Sequence, residues 1–128
     1  MNDFERVNMM ILYGIPNCDT MKKARAWLAE HAVEYQFHNY KKSGLDEATL
    51  RGWVAQVGWE LLLNRRGMMW RKVSDAEKAA INEVSAIRLM LETPSMIKRP
   101  VLQHPAGILV GFKPAEYADV LTQQGTDA

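Results

Sequence analysis

Cysteine is nearly absent: the 128-residue chain holds one, Cys18. A lone cysteine excludes a disulfide within the chain and any zinc site built on several thiolates. No apolar run approaches the length of a membrane span. The N-terminus, MNDFERVN, lacks the basic-then-apolar pattern of a secretion signal. A reduced thiol without an export signal points to the cytoplasm. An excess of one charge is missing too, since 16 Lys and Arg face 15 Asp and Glu for a net +1. Such a chain has no global field to draw in nucleic acid or an anionic membrane, so neither is expected as a partner. Function therefore has to reside in a local site. The three histidines, His31, His38 and His104, show no metal-ligand spacing, and no metal is expected.

What is present fits an ordinary globular domain: 48% hydrophobic and 24% charged residues, with no repeat or low-complexity tract. Residues 1–8 read as a loose N-terminal extension and 9–124 as one domain. MMILY (Met9–Tyr13) is a short apolar run halted by Gly14 and Pro16, which suits a buried strand. Met21, Ala24, Leu28 and Ala32 then fall at helical spacing, with Asn17 as the expected N-cap. VEYQFHNY (Val33–Tyr40) alternates as a second strand. The opening is thus a βαβ unit, which implies parallel strands.

A helical block is expected over about 45–95. Asp46 caps its first helix, WELLLNRRG is a short helix stopped by Gly67, and Ser74 with Glu77 has capping-box spacing. Pro94 disfavours helix at Thr93. RPVLQHPAGILVGF reads as a β-hairpin turning through His104, Pro105 and Gly107, and Pro114 opens a last helix through PAEYADVLTQQ. The order is βαβ, helices, ββα: an α/β fold with a mixed sheet. The tryptophans Trp27, Trp53, Trp59 and Trp70 read as anchors of helices on that sheet, and Met9, Met10, Met68, Met69, Met90 and Met96 as core filling.

Cys18 falls where strand passes into helix. A cysteine reacts as thiolate, and a free thiol with a pKa of about 8.5 is mostly protonated at neutral pH. The first helical turn, with its unpaired N–H groups and the positive end of the dipole, stabilises a thiolate. Asn17, Thr20 and the amides of Asp19 and Thr20 are the candidate donors; the Asp19 carboxylate opposes them, and Lys22 and Lys23 partly offset it.

YGIPNCDTMKKA, LLNRRGMMWRKV and IKRPVLQHPAGILVGFKPAEY together resemble the arsenate reductase (ArsC)/Spx family, and most of all its YffB-like branch, from about Met10 to about Leu121. The resemblance implies a thioredoxin-like fold with an inserted helical block and a cis-proline at Pro100. It implies that the backbone of Arg99 pairs with a thiol peptide such as glutathione. In the arsenate reductases the cysteine attacks arsenate and arginines neutralise the oxyanion, because a planar guanidinium forks onto two oxygens. Cys18 matches the nucleophile and Arg99 one arginine. Lys113 stands where another arginine is used, and Arg65 or Arg66 supplies the remaining cation.

The chain departs from those enzymes at two places: Gly14 replaces the histidine of their HNPxC motif, and Met21 replaces a serine. Spx regulators, which act on RNA polymerase, have C-x-x-C; Met21 removes that second thiol. The leading expectation is a glutathione-dependent monothiol oxidoreductase acting on a disulfide or small electrophile. Cys18 is its nucleophile, and Asn17, Thr20, Arg66, Arg99, Pro100 and Lys113 bind glutathione or an oxyanion. Glutathione is the co-substrate, with glutathione or glutaredoxin as reductant. The alternatives are arsenate reduction and an Spx-like regulator that binds RNA polymerase without catalysis.

Overall fold

The computed structural model describes residues 10–122. The expected extension over 1–8, Met9, and residues 123 and 124 of the expected last helix lie outside the described residues. The elements run β1 (Ile11–Gly14), α1 (Asp19–Glu30), β2 (Gln36–Asn39), α2 (Tyr40–Ser43), α3 (Glu47–Val57), α4 (Trp59–Leu62), α5 (Met68–Arg71), α6 (Asp75–Ala79), α7 (Glu83–Glu92), a 3-10 turn (Pro94–Met96), β3 (Val101–His104), β4 (Gly107–Val110) and α8 (Pro114–Tyr117), continued by a π-helical stretch (Ala118–Thr122). Among the described residues no helix is long and apolar enough to cross a membrane.

The chain divides into two compact units, one formed by the residues up to His38 together with those from Arg99 on, the other by Asn39–Lys98. The first holds the four-stranded mixed sheet in the order β2-β1-β3-β4. β1 and β3 are antiparallel, with Leu12 opposite Leu102 and Tyr13 opposite Val101. β3 and β4 form the hairpin, His104 facing Gly107 across the turn. On the other edge the Gln36 N–H donates to the Met10 carbonyl at 2.8 Å. α1 lays Met21, Ala24 and Leu28 against Leu12, Leu102, Tyr117 and Leu121, which makes the core of this unit. Apolar side chains at i, i+3 and i+7 share one helix face, so this burial follows from the sequence spacing.

The second unit is helical. α7 packs on α3 and α4, burying Leu50, Trp53, Leu62, Ile87 and Met90. Asp46 accepts from the Thr49 N–H and Ser74 from the Glu77 N–H, as expected caps. The reciprocal capping box belongs to Asn82 and Ser85, at the start of α7.

Several boundaries differ from the sequence reading. β2 is shorter than Val33–Tyr40, because Tyr40 already opens α2 with Asn39 as its cap. The helix in WELLLNRRG ends at Leu62 rather than at Gly67, since Leu63 turns extended to bridge Ile97. Gly67 instead caps α5, where a Cβ would crowd Asn64 Nδ2 at 2.9 Å. Trp53 and Trp70 are both buried and both belong to the helical unit. Met68 is 71% exposed rather than core, because α5 is a four-residue helix that buries Trp70 instead.

Candidate functional site

The antiparallel register puts the carboxyl end of β1 and the amino end of β3 at the same end of the sheet. Both candidate groups come from there. Past Gly14 the chain bends at Pro16 and Asn17, and Cys18 then takes extended dihedrals (φ −137°, ψ 130°) as the N-cap of α1. Just before β3, Arg99 precedes Pro100 in a cis peptide bond, the cis-proline that the motif implied. The Pro100 carbonyl accepts from Gly111 N–H at 2.8 Å, which ties this segment to the end of β4.

The cap is Cys18 and not Asn17. Pro16 and Asn17 are spent on the bend, so the helix starts one residue later than the sequence reading has it. The amides available to the cap shift by one as well. An N-cap side chain faces the N–H groups of the second and third helical residues. For Cys18 these are Thr20 and Met21, whereas Asp19 and Thr20 follow from a cap at 17. Met21 is thus the functional residue the sequence reading missed, and the cap position was the signal that would have found it.

Cys18 is partly buried against the core of its unit. Burial alone pushes its thiol up, because a charged sulfur loses solvation. The Met21 N–H, the Arg99 guanidinium and the Thr20 N–H act the other way, and the Arg99 charge adds to them. Together they outweigh burial, and the thiol titrates below its ordinary value. The sulfur closes no short capping hydrogen bond, so these amides are not consumed by the resting thiol. They can receive an anion, whether the thiolate itself or an oxygen of a bound group.

The structure brings Cys18, Arg99 and the amides of Thr20 and Met21 together, with Pro100 next in the chain. Asn17 is exposed on the bend. Lys113 is exposed as the N-cap of α8, its carbonyl accepting from the Glu116 and Tyr117 N–H groups at 3.0 and 3.1 Å. Arg66 lies in the helical unit. There it lines a depression of about 500 Å³ with Glu60, Leu63, Asn64, Arg65 and Lys98. The two arginines left open by the sequence differ in that unit. The Arg65 guanidinium lies 5.3 Å from the Trp59 ring centroid and 6.0 Å from that of Trp70, a cation–π arrangement that holds it, whereas the Arg66 backbone N–H donates to Asn64 Oδ1 at 3.1 Å. Of the histidines, His104 is buried, and burial pushes its imidazole down; His31 stacks on Trp27.

Comparison with known proteins places the chain among relatives over most of its length. The model of the ArsC family matches residues 13–120. Among solved structures, the YFFB (PA3664) protein is 56% identical with a TM-score of 0.85, over 88% of this chain and 98% of that one. An arsenate reductase (ArsC) related protein from Brucella melitensis is 50% identical with a TM-score of 0.72, over 88% and 94%. The global transcriptional regulator Spx of Streptococcus pyogenes serotype M1 is 30% identical over 118 residues, covering 90% of this chain and 87% of its own.

Proposed function

The chain belongs to the ArsC family, whose structures share the thioredoxin-like fold, and from that membership we propose that it is a glutathione-dependent thiol oxidoreductase with Cys18 as its nucleophile. The observation that carries this reading is Cys18 beside Arg99 at an open helix N-terminus. A thiol held down in pKa there is more populated as thiolate at neutral pH and leaves faster when a second thiol displaces it.

The cycle starts from a mixed disulfide between glutathione and a substrate thiol. The Cys18 thiolate attacks the glutathione sulfur, and the substrate leaves as a thiolate that takes a proton from solvent. The glutathionyl group is now on Cys18. The thiolate of a second glutathione attacks that group's sulfur, glutathione disulfide leaves, and the Cys18 thiolate is restored. The substrate sulfur is reduced to a thiol, the second glutathione's thiol is oxidised in exchange, and the two glutathione sulfurs end in one disulfide. Because the chain has one cysteine, the second thiol must come from outside; a glutaredoxin would serve in the same place. Arg99 neutralises charge at the sulfur. The peptide docks along the backbone before Pro100, near Asn17 and Thr20, and Lys113 is assigned to a glutathione carboxylate.

The test is reduction of a glutathione mixed disulfide, coupled to glutathione reductase and followed as NADPH loss. Turnover by the wild-type chain and none by Cys18→Ser is expected. No wild-type turnover, or full turnover by Cys18→Ser, overturns the proposal. An arm with arsenate as oxidant tests the reductase alternative.

The 30% identity to Spx favours a second reading, a regulator that contacts RNA polymerase without catalysis. A complex with the polymerase alpha subunit, formed by a chain with no thiol turnover, is its signature.

A further inference from the structure

We propose that Met21 is a positioning residue for Cys18: seated on the bare Cα of Gly14, its side chain fixes the first turn of α1 at the sulfur. The inference rests on the reading of Cys18 as a nucleophile and adds how its donors are held.

β1 ends on Gly14, and the bend through Pro16 and Asn17 brings the first turn of α1 back over that end. Long side chains on a helix point toward its N-terminus, so Met21 reaches the last residue of the strand. A Cβ built on Gly14 would collide with Met21 Sδ and lie 2.8 Å from Cε and 3.4 Å from Cγ. The thioether therefore occupies the volume that any side chain at 14 would need. Met21 is 1% exposed and shares its cluster with Leu12, Ala24 and Leu28, so it is pinned by the strand and by the core. The same residue presents a backbone N–H to Cys18. Anchor and donor are one residue, and packing at Gly14 sets the donor's direction. The charged side chain facing the sulfur is Arg99, from the segment leading into β3; Asp19, beside Cys18 on α1, is exposed.

The test is the rate of alkylation of Cys18 by iodoacetamide against pH in the full chain, with circular dichroism and thermal melting as controls of fold. Met21→Ala is expected to raise the titration midpoint by about half a pH unit or more, because the donor turn is released. Met21→Leu refills the volume and is expected to restore the wild-type midpoint. Gly14→Ala leaves residue 21 unchanged but displaces its side chain, and is expected to raise the midpoint as well. Gly14→Ala combined with Met21→Ala is expected to fall short of the sum. A wild-type midpoint in Met21→Ala, or in Gly14→Ala where Met21→Ala does not fold, overturns the inference and leaves the proposed function standing. An unlowered midpoint in the wild-type chain overturns the proposed function itself.

Discussion

At Cys18 two opposed influences meet: burial favours the neutral thiol, and the amides of Met21 and Thr20 with Arg99 favour the anion and win. Arg99 contributes both a hydrogen bond and a charge, so its removal has the clearest outcome. Arg99→Met, which keeps length and loses charge, is expected to raise the alkylation midpoint and slow the reaction at neutral pH; Arg99→Lys recovers only part, since an ammonium lacks the fork. The same shift couples to folding. A thiol whose folded pKa is lowered adds stability above the free thiol's value, and that stability is lost as pH falls through the lowered one. Cys18→Ser therefore flattens the pH dependence of urea unfolding across that window.

A second residue carries a cost of the opposite kind. The Tyr117 hydroxyl is buried without a hydrogen-bond partner among the described residues, its ring edge-on to Trp27 and Phe112. Burial, with the Glu116 carboxylate adding, raises its phenol above the ordinary range. Tyr117→Phe removes an unpaired polar group and is expected to stabilise the chain by up to about 1 kcal/mol. A lower urea midpoint in that variant would count against an orphaned hydroxyl.

Among the helices, caps decide where each begins. The Asn82–Ser85 box satisfies N–H groups at both ends of the first turn of α7, at 3.0 Å each way. Asn82→Ala is expected to cost about 1 kcal/mol by urea unfolding, leaving the Cys18 titration unchanged. The strand–helix–strand opening, the hairpin and the caps at Asp46 and Ser74 were legible in the sequence because each has a local signal: apolar period, turn residues, an oxygen-bearing side chain before the run. The Asn82 box was not, since Ser85 stands where glutamate usually marks one.

The remaining misses have longer-range causes. Leu63 leaves the helical path to pair with Ile97, a residue far along the chain that no window around WELLLNRRG contains. The difference between Arg65 and Arg66 depends on Trp59 and Trp70, which meet Arg65 from either side of it in sequence. At the candidate site, Cys18 and Arg99 were legible from motif. The cap position was not, because Asn17 is the better capping residue by type and only the bend at Pro16 moves the start.

On the scale of the molecule, each unit has its own apolar interior. The helical unit relies on Trp53, 1% exposed between α3 and its neighbours. Trp53→Ala is expected to cost about 3–5 kcal/mol, read by urea unfolding, a loss large enough to unfold a marginal domain. The net charge of +1 leaves the Arg99 guanidinium, rather than the field of the whole protein, as the charge that acts on the Cys18 sulfur.

The chain returns to the sheet unit at Arg99, the residue whose guanidinium meets Cys18. Synthesis runs from the N-terminus, so the ribosome makes the thiol early and the whole helical unit after it, with Arg99 only then. Throughout that interval the nascent polypeptide carries a cysteine whose thiol lacks the Arg99 charge that favours its anion. That contact can form only after β3 has been made and pairs beside β1.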